Sequence, residues 1–329
     1  MSLRARLFSL YLRYRFKRMP PDDEEEFVRL ARRLMNDRRR IPLWTPRDIK
    51  IEPADIARGE GGGGRVGGEW VSHELADEKK VIIYFHGGGY IAGAPVFYRK
   101  TIFHLARLTR ARILVIDYRL APEDRLPAAV DDGFAAYRHV LKSTDRRRVA
   151  FVGDSAGGGL LLATMHKARR ENVRPPAAGV CFSPYTDLAV TGASVEANAE
   201  TCVMFHPETL RIAAPVYLGD ADPRDPLASP LYGDFKGFPP LQVFASSSET
   251  LLDDSLRLIE KATDSGVRVE KVIGENLPHV WPVFPEYLPE AREALRKAAD
   301  FIAGAWAEAE RAGVGEGDEV SGASAAPPS

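Results

Sequence analysis

Ser155, His279 and an acidic residue near position 249 are the groups with which this 329-residue chain could do nucleophilic chemistry. Ser155 stands in Gly153-Asp154-Ser155-Ala156-Gly157. The apolar run Val149-Ala150-Phe151-Val152 precedes it, and Leu160, Leu161, Met165 and Ala168 follow at helical spacing. The pattern predicts a strand, a sharp turn and a helix. Such a turn holds its serine in a strained conformation with Oγ projecting from the sheet edge. A side chain at 153 or 157 would collide where strand and helix cross. The helix start also aims free N–H groups, that of Ala156 among them, at developing negative charge. The chemistry these groups suit is acyl transfer through a covalent intermediate.

Acyl transfer needs donors facing the place where a carbonyl oxygen becomes an oxyanion. His86-Gly87-Gly88-Gly89, directly after the apolar run Val81–Phe85, suits that need, because backbone N–H groups can converge where no Cβ intervenes. His86 reads as a residue that, with Gly87, holds this loop in shape rather than as a base. Among the other histidines, His104, His139 and His166 lie inside predicted helices, His73 precedes the core and His206 sits before Pro207. His279, in Asn276-Leu-Pro-His-Val-Trp, occupies the loop between the last predicted strand and the last helix, where a base would meet the serine. The acid is expected just after the strand Leu-Gln-Val-Phe-Ala (241–245). Glu249 lies in that loop, with Asp253 and Asp254 about one helical turn further on as alternatives. Its task would be to fix the tautomer of His279 and stabilise the imidazolium.

These groups need a scaffold, and the chain supplies an alternation. Strands are predicted at Val81–Phe85, Ile113–Ile116, the run before Ser155, Gly179–Phe182, Leu241–Ala245 and Val267–Ile273. Helices are predicted at Phe97–Leu108, Pro127–Leu141, after Ser155, at Leu251–Thr263 and from Pro289 to about Arg311. This spacing implies an α/β fold with a mostly parallel sheet covered on both faces. Residues 188–218 interrupt the rhythm and read as helical, a cap over the sheet's C-terminal edge. Residues 46–187 and 219–312 would form the catalytic body, with cap helices in 1–45 and a disordered tail in 313–329.

Two helices are predicted at the start of the sequence. The first 18 residues carry six basic residues and no acidic one, with Leu3, Leu7, Leu10, Tyr11 and Tyr14 on one face. A basic amphipathic helix can lie on a membrane, but the favoured expectation is a helix packed over the catalytic body, with membrane-surface contact unexpected. Pro20-Pro21-Asp22-Asp23 ends it and caps a second helix, whose apolar positions Phe27, Leu30, Ala31, Leu34 and Met35 share a face. The Gly-rich run Gly59–Gly68 lacks the Lys-Ser/Thr of a phosphate loop and reads as a flexible hairpin loop.

Several function classes drop out. A net charge of −1 offers nothing for nucleic acid. Only two cysteines, Cys181 and Cys202, argue against a disulfide framework, and no stretch is long and apolar enough to span a membrane. The chain reads as cytoplasmic. No metal motif appears, and Asp220-Ala-Asp-Pro-Arg-Asp reads as turns, so neither metal nor cofactor is expected.

Together HGGGYIAGAP (86–95), DYRLAPEDRLPAAVDD (117–132), GDSAGG (153–158), YLGDADPRDPLASPL (217–231) and PHVW (278–281) resemble the hormone-sensitive-lipase-like family of α/β-hydrolase esterases. The resemblance spans roughly residues 45–305 and is similar in kind to bacterial lactone hydrolases and acetyl esterases of that family. It implies an eight-stranded, mostly parallel sheet with a cap built from both leading helices and an insertion. Carried residue by residue, it makes Ser155 the nucleophile, His279 the base, Glu249 the acid, and Gly88, Gly89 and Ala156 the oxyanion donors. Where many members read Asp-Pro-Leu, this chain reads Glu249-Thr-Leu. The implied activity is hydrolysis of short- to medium-chain carboxylic esters, with lactones also in scope and a homodimer as the expected assembly. Alternatives are acyl transfer or amide cleavage on the same triad, or a non-catalytic binding protein on the same fold, which the presence of His279 disfavours.

Overall fold

The computed structural model describes residues 1–37, 41–59 and 63–318. Eight strands form one sheet: β1 (Ile49–Ala57), β2 (Arg65–His73), β3 (Asp77–Phe85), β4 (Ala111–Asp117), β5 (Val149–Asp154), β6 (Ala178–Phe182), β7 (Leu241–Ser246) and β8 (Val269–Gly274). Their order is β1-β2-β4-β3-β5-β6-β7-β8. β1 and β2 are antiparallel to each other, β2 is antiparallel to β4, and every other pair is parallel. The sheet is mostly parallel, as the strand–helix alternation requires.

The strands put alternate residues into two cores. Val81, Ile83, Phe85, Val149 and Phe151 face one core with α4 (Ala128–Leu141), α5 (Ala156–Arg170) and α8 (Leu252–Asp264). Ile82, Tyr84, Ala150 and Val152 face the other with α3 (Arg99–Thr109) and α9 (Pro289–Asp318). β3 and β5 are parallel neighbours in which Phe85 pairs with Gly153, so the loops leaving both strands emerge at the same sheet edge. That register brings the Gly-rich loop beside Ser155.

The structure departs from the sequence-based expectations in four places. Gly67 and Gly68 belong to β2 rather than to the connecting loop, and residues 60–62 of that loop lie outside the described residues. α9 continues through residues 313–318, where the tail was expected to begin, while 319–329 lie outside the described residues. In 188–218, helix is confined to α6 (Ser194–Ala197) and α7 (Pro207–Leu218). Between them the Asn198 amide donates to the carbonyls of Ser247 (3.3 Å) and Glu249 (2.9 Å), and the Thr201 hydroxyl to that of Ser248 (3.1 Å). The segment is thereby tied to the loop after β7 instead of continuing as helix.

The fourth departure concerns α1 (Leu3–Phe16). It does pack on the body, but through Ala5, Ser9 and Leu12, whereas Leu3, Leu7, Leu10, Tyr11 and Tyr14 are exposed. α2 (Glu24–Met35) starts as expected, with the Asp23 carboxylate accepting from the Glu26 N–H at 2.8 Å.

His166, placed inside a predicted helix, is buried on α5 against the rings of Phe235 and Phe238. Its Nε2 donates to the Pro230 carbonyl at 3.2 Å. Burial pushes its pKa down from 6.5 to about 4. Between those values the unfolded chain binds a proton that the folded chain does not. His166 therefore contributes full stability above 6.5, and that contribution is withdrawn as pH falls to about 4. The loss reaches about 3 kcal/mol at most. We expect His166→Gln to flatten the fall of Tm across that acid window, as read by scanning calorimetry; an unchanged slope would assign the acid sensitivity to other groups.

Candidate active site

β5 ends at Asp154 and α5 begins at Ala156, so Ser155 alone makes the turn. It sits at φ 52° and ψ −121°, a conformation that costs a non-glycine residue about 1–3 kcal/mol. Surrounding hydrogen bonds impose it. The Ser155 N–H donates to the Phe182 carbonyl at 2.9 Å, and its own carbonyl accepts from Tyr185 (2.9 Å) and Gly159 (3.1 Å). Gly157 is required by close approach, since a Cβ there would lie 2.0 Å from the carbonyl oxygen of Phe85.

The loop after β3 is shaped as tightly. Gly88 adopts φ 129°, and a Cβ on it would fall 1.9 Å from the Ala92 carbonyl oxygen. Among the described residues, the N–H groups of Gly88, Gly89 and Ala156 donate to no acceptor. Gly88, Gly89 and Ser155 line one cavity, with Ala156 the next residue in the chain. Three backbone donors thus remain available near the serine.

Asp154, which sequence reasoning did not single out, joins these two loops. Its buried carboxylate accepts from the Tyr84 hydroxyl (2.8 Å), the Gly87 N–H (3.0 Å) and the Tyr98 hydroxyl (3.4 Å). The His86 ring stacks on Tyr118 with centroids 4.2 Å apart, and its Nδ1 lies 2.8 Å from the Gly87 carbonyl oxygen. The Tyr118 hydroxyl donates to the His86 carbonyl at 2.7 Å.

His279 and Glu249 come from the loops after β8 and β7 and meet in the interior. His279 Nδ1 lies 2.5 Å from Glu249 Oε2, and both side chains are buried. Glu249 Oε1 accepts from the Ser246 N–H at 2.6 Å, which fixes the carboxylate plane. On the other side of the ring, His279 Nε2 has no hydrogen-bond partner among the described residues. Ser155 and His279 line the same cavity.

The alternative carboxylates are engaged elsewhere. Asp253 accepts from the Ser194 N–H at 3.0 Å, and its own N–H donates to Ser194 Oγ at 2.9 Å. Asp254 accepts from the N–H groups of Thr186 (2.7 Å) and Asp187 (2.9 Å), and burial pushes its pKa up to about 7. Asp254 thus braces the loop after β6 against α8, and Asp253 braces the start of α6. Among the described residues no group of three or more His, Cys, Asp or Glu is placed to hold a metal ion.

The sequence pattern of the alpha/beta hydrolase fold family matches residues 82–283. The acetyl-hydrolase of Streptomyces hygroscopicus is 36% identical over 275 residues, covering 79% of this chain and 92% of that protein. A crystal structure of an esterase from the bacterial hormone-sensitive lipase family superposes with a TM-score of 0.82 at 37% identity, over 92% of this chain and 98% of that one. The chain belongs to the hormone-sensitive-lipase-like α/β-hydrolases. A crystal of EstE5 soaked with p-nitrophenyl butyrate gives TM-score 0.84 at 33% identity, over 93% of this chain and 100% of that one.

In this α/β-hydrolase the serine stands where two cavities meet. The larger, about 380 Å³, is lined by His279, Val280, Val283, Phe284 and Tyr287, with α1 contributing Phe8, Tyr11 and Leu12. The smaller, about 90 Å³, is lined by Gly89, Tyr185, Leu210, Ala213 and Leu251, with Phe27, Leu30 and Ala31 of α2. Leu34, Met35, Gly88 and Ser155 face both. α2 is anchored to the Gly-rich loop by two residues that no motif marked. Arg32 donates to the carbonyls of Ile91 (2.9 Å) and Ala121 (3.1 Å), and the Asn36 side chain accepts from the Gly93 N–H at 2.8 Å. Arg32 also pairs with Glu123, whose carboxyl its hydrogen bond pulls down to about 2.

Proposed function

We propose that this α/β-hydrolase is a serine carboxylesterase acting through an acyl-enzyme, with Ser155 as nucleophile, His279 as base and Glu249 as acid. The observation that carries the reading is the buried Glu249–His279 pair, in which Nε2 has no partner among the described residues and the histidine lines the same cavity as Ser155. The relatives named for ester or acetyl hydrolysis support it.

Glu249 accepts a hydrogen bond from the Nδ1–H, which leaves Nε2 as the base that takes the proton of Ser155 Oγ as it attacks the ester carbonyl. The oxyanion forms against the N–H groups of Gly88, Gly89 and Ala156. His279 then returns the proton to the leaving alkoxide, the C–O bond breaks and the alcohol departs. Water, deprotonated by His279, repeats the sequence on the acyl-enzyme and releases the acid. Leu3–Phe16, Glu24–Met35 and the 188–218 segment act as a cap that walls both cavities. Two unpaired, buried cysteines support a reducing, cytoplasmic setting.

The same proton path assigns the two cavities. The leaving alcohol must lie on the His279 side, in the larger one. The acyl chain then enters the smaller one, which is walled by Leu210, Ala213 and Leu251 and has about a quarter of the larger cavity's volume, so short chains are favoured. Turnover of p-nitrophenyl esters should therefore peak between acetyl and butyryl and fall steeply by octanoyl. Leu210→Ala, which enlarges the smaller cavity, should move the optimum to longer chains. A palmitoyl optimum, or no ester turnover at all, would contradict the reading.

A further inference from the structure

α1 has two apolar faces, and the body uses only one. At 3.6 residues per turn, Ala5, Ser9 and Leu12 point in one direction and are buried. On the opposite side Leu3, Leu7, Leu10 and Tyr14 are 72%, 61%, 64% and 82% exposed, with Tyr11 beside them. These five side chains fill an arc of about 100°. Arg4 borders it on one side and Arg6 and Arg13 on the other.

Charge selects what this stripe can meet. The carboxylates that reach α1 are already committed: Glu200 to Arg13 and Lys17, Asp37 to Arg15, and Glu290 to Ser2. Arg4 and Arg6 are exposed and make no ion pair among the described residues. Leucines and tyrosines bordered by Arg4 and Arg6 match an anionic bilayer surface, where the rings and aliphatic chains enter the headgroup boundary and the guanidinium groups stay at the phosphates. A two-fold contact with a second copy would instead bring the same arginine rows together. The stripe also runs into the active-site mouth. Tyr11 lines the larger cavity, as do Phe8 and the half-exposed Tyr287, whose rings stack with centroids 4.8 Å apart.

We propose that α1 docks this enzyme on anionic lipid surfaces through Leu3, Leu7, Leu10, Tyr11 and Tyr14, with Arg4 and Arg6 supplying the electrostatic attraction, so that the larger cavity opens near the bilayer. The sequence alone made a packed helix and a surface-bound helix alternatives, with packing favoured. In the structure the helix packs through one face and leaves the other exposed.

The test is flotation of the full chain with vesicles of phosphatidylcholine containing phosphatidylglycerol, against pure phosphatidylcholine. The wild type should float with the anionic vesicles, less so at high salt. Arg4→Gln with Arg6→Gln should weaken partitioning about fivefold per arginine, and Leu7→Asp with Leu10→Asp should abolish it. Neither pair lines the cavities, so both variants should keep wild-type turnover of soluble p-nitrophenyl acetate, which also shows that they are folded. Absent flotation of an active wild type would overturn the proposal, as would equal flotation of all three proteins. A dimer in sedimentation velocity that Leu7→Asp with Leu10→Asp dissolves, without vesicle binding, would give the stripe to a second copy and overturn it too.

Discussion

Ser155→Ala should lower kcat for a short-chain ester by about 10⁵-fold or more while leaving the fold intact. The loss is large because the hydroxyl is the group that forms the acyl bond, and no neighbour can replace it. The fold should survive because the strained turn is imposed by backbone hydrogen bonds to Phe182, Tyr185 and Gly159, none of which involves the hydroxyl. An alanine inherits the same φ of 52°. Steady-state kinetics and Tm on one preparation check both halves. A variant with wild-type turnover would remove Ser155 from the chemistry, and a collapsed Tm would show that the side chain holds the turn.

Glu249→Gln should cost about 10³–10⁴-fold in kcat, again with little change in Tm. The Ser246 N–H, 2.6 Å from Oε1, requires an acceptor on that side. A glutamine must turn its carbonyl there, which leaves its NH₂ facing His279 Nδ1. Nδ1 must then accept, the ring proton moves to Nε2, and the base toward Ser155 is lost. Asp253→Asn should leave kcat near wild type, because the carboxylate serves the Ser194 N–H and an amide oxygen can do the same. Activity that survives Glu249→Gln but not Asp253→Asn would reverse the assignment.

The elbow was legible because three signals coincide within twenty residues: a β-rich run, glycines where a Cβ cannot fit, and apolar residues at helical spacing. The Gly-rich loop was legible for a similar reason, since a backbone that must offer N–H groups without a Cβ leaves few residue choices. The acid was less so. Glu249, Asp253 and Asp254 lie within six residues, and only the fold shows that the latter two brace Ser194, Thr186 and Asp187. Asp154, Arg32 and Asn36 left no signal, because their partners lie 56–91 positions away and are mostly backbone groups. α1 shows a different limit. Periodicity groups residues on a face but does not say which face meets the core. Here the small Ala5 and Ser9 allow close approach, and the larger Leu7 and Leu10 stay outside.

The central claim is that Ser155 forms a covalent acyl bond, and trapping that bond tests it most directly. The enzyme would be treated with diethyl p-nitrophenyl phosphate, which phosphorylates an activated serine and is released only slowly, then weighed intact and digested for peptide mapping. The expected result is one diethylphosphoryl group per chain, located on Ser155, with activity lost in proportion and no adduct on Ser155→Ala. An adduct on another residue, or full activity retained with Ser155 unmodified, would contradict it.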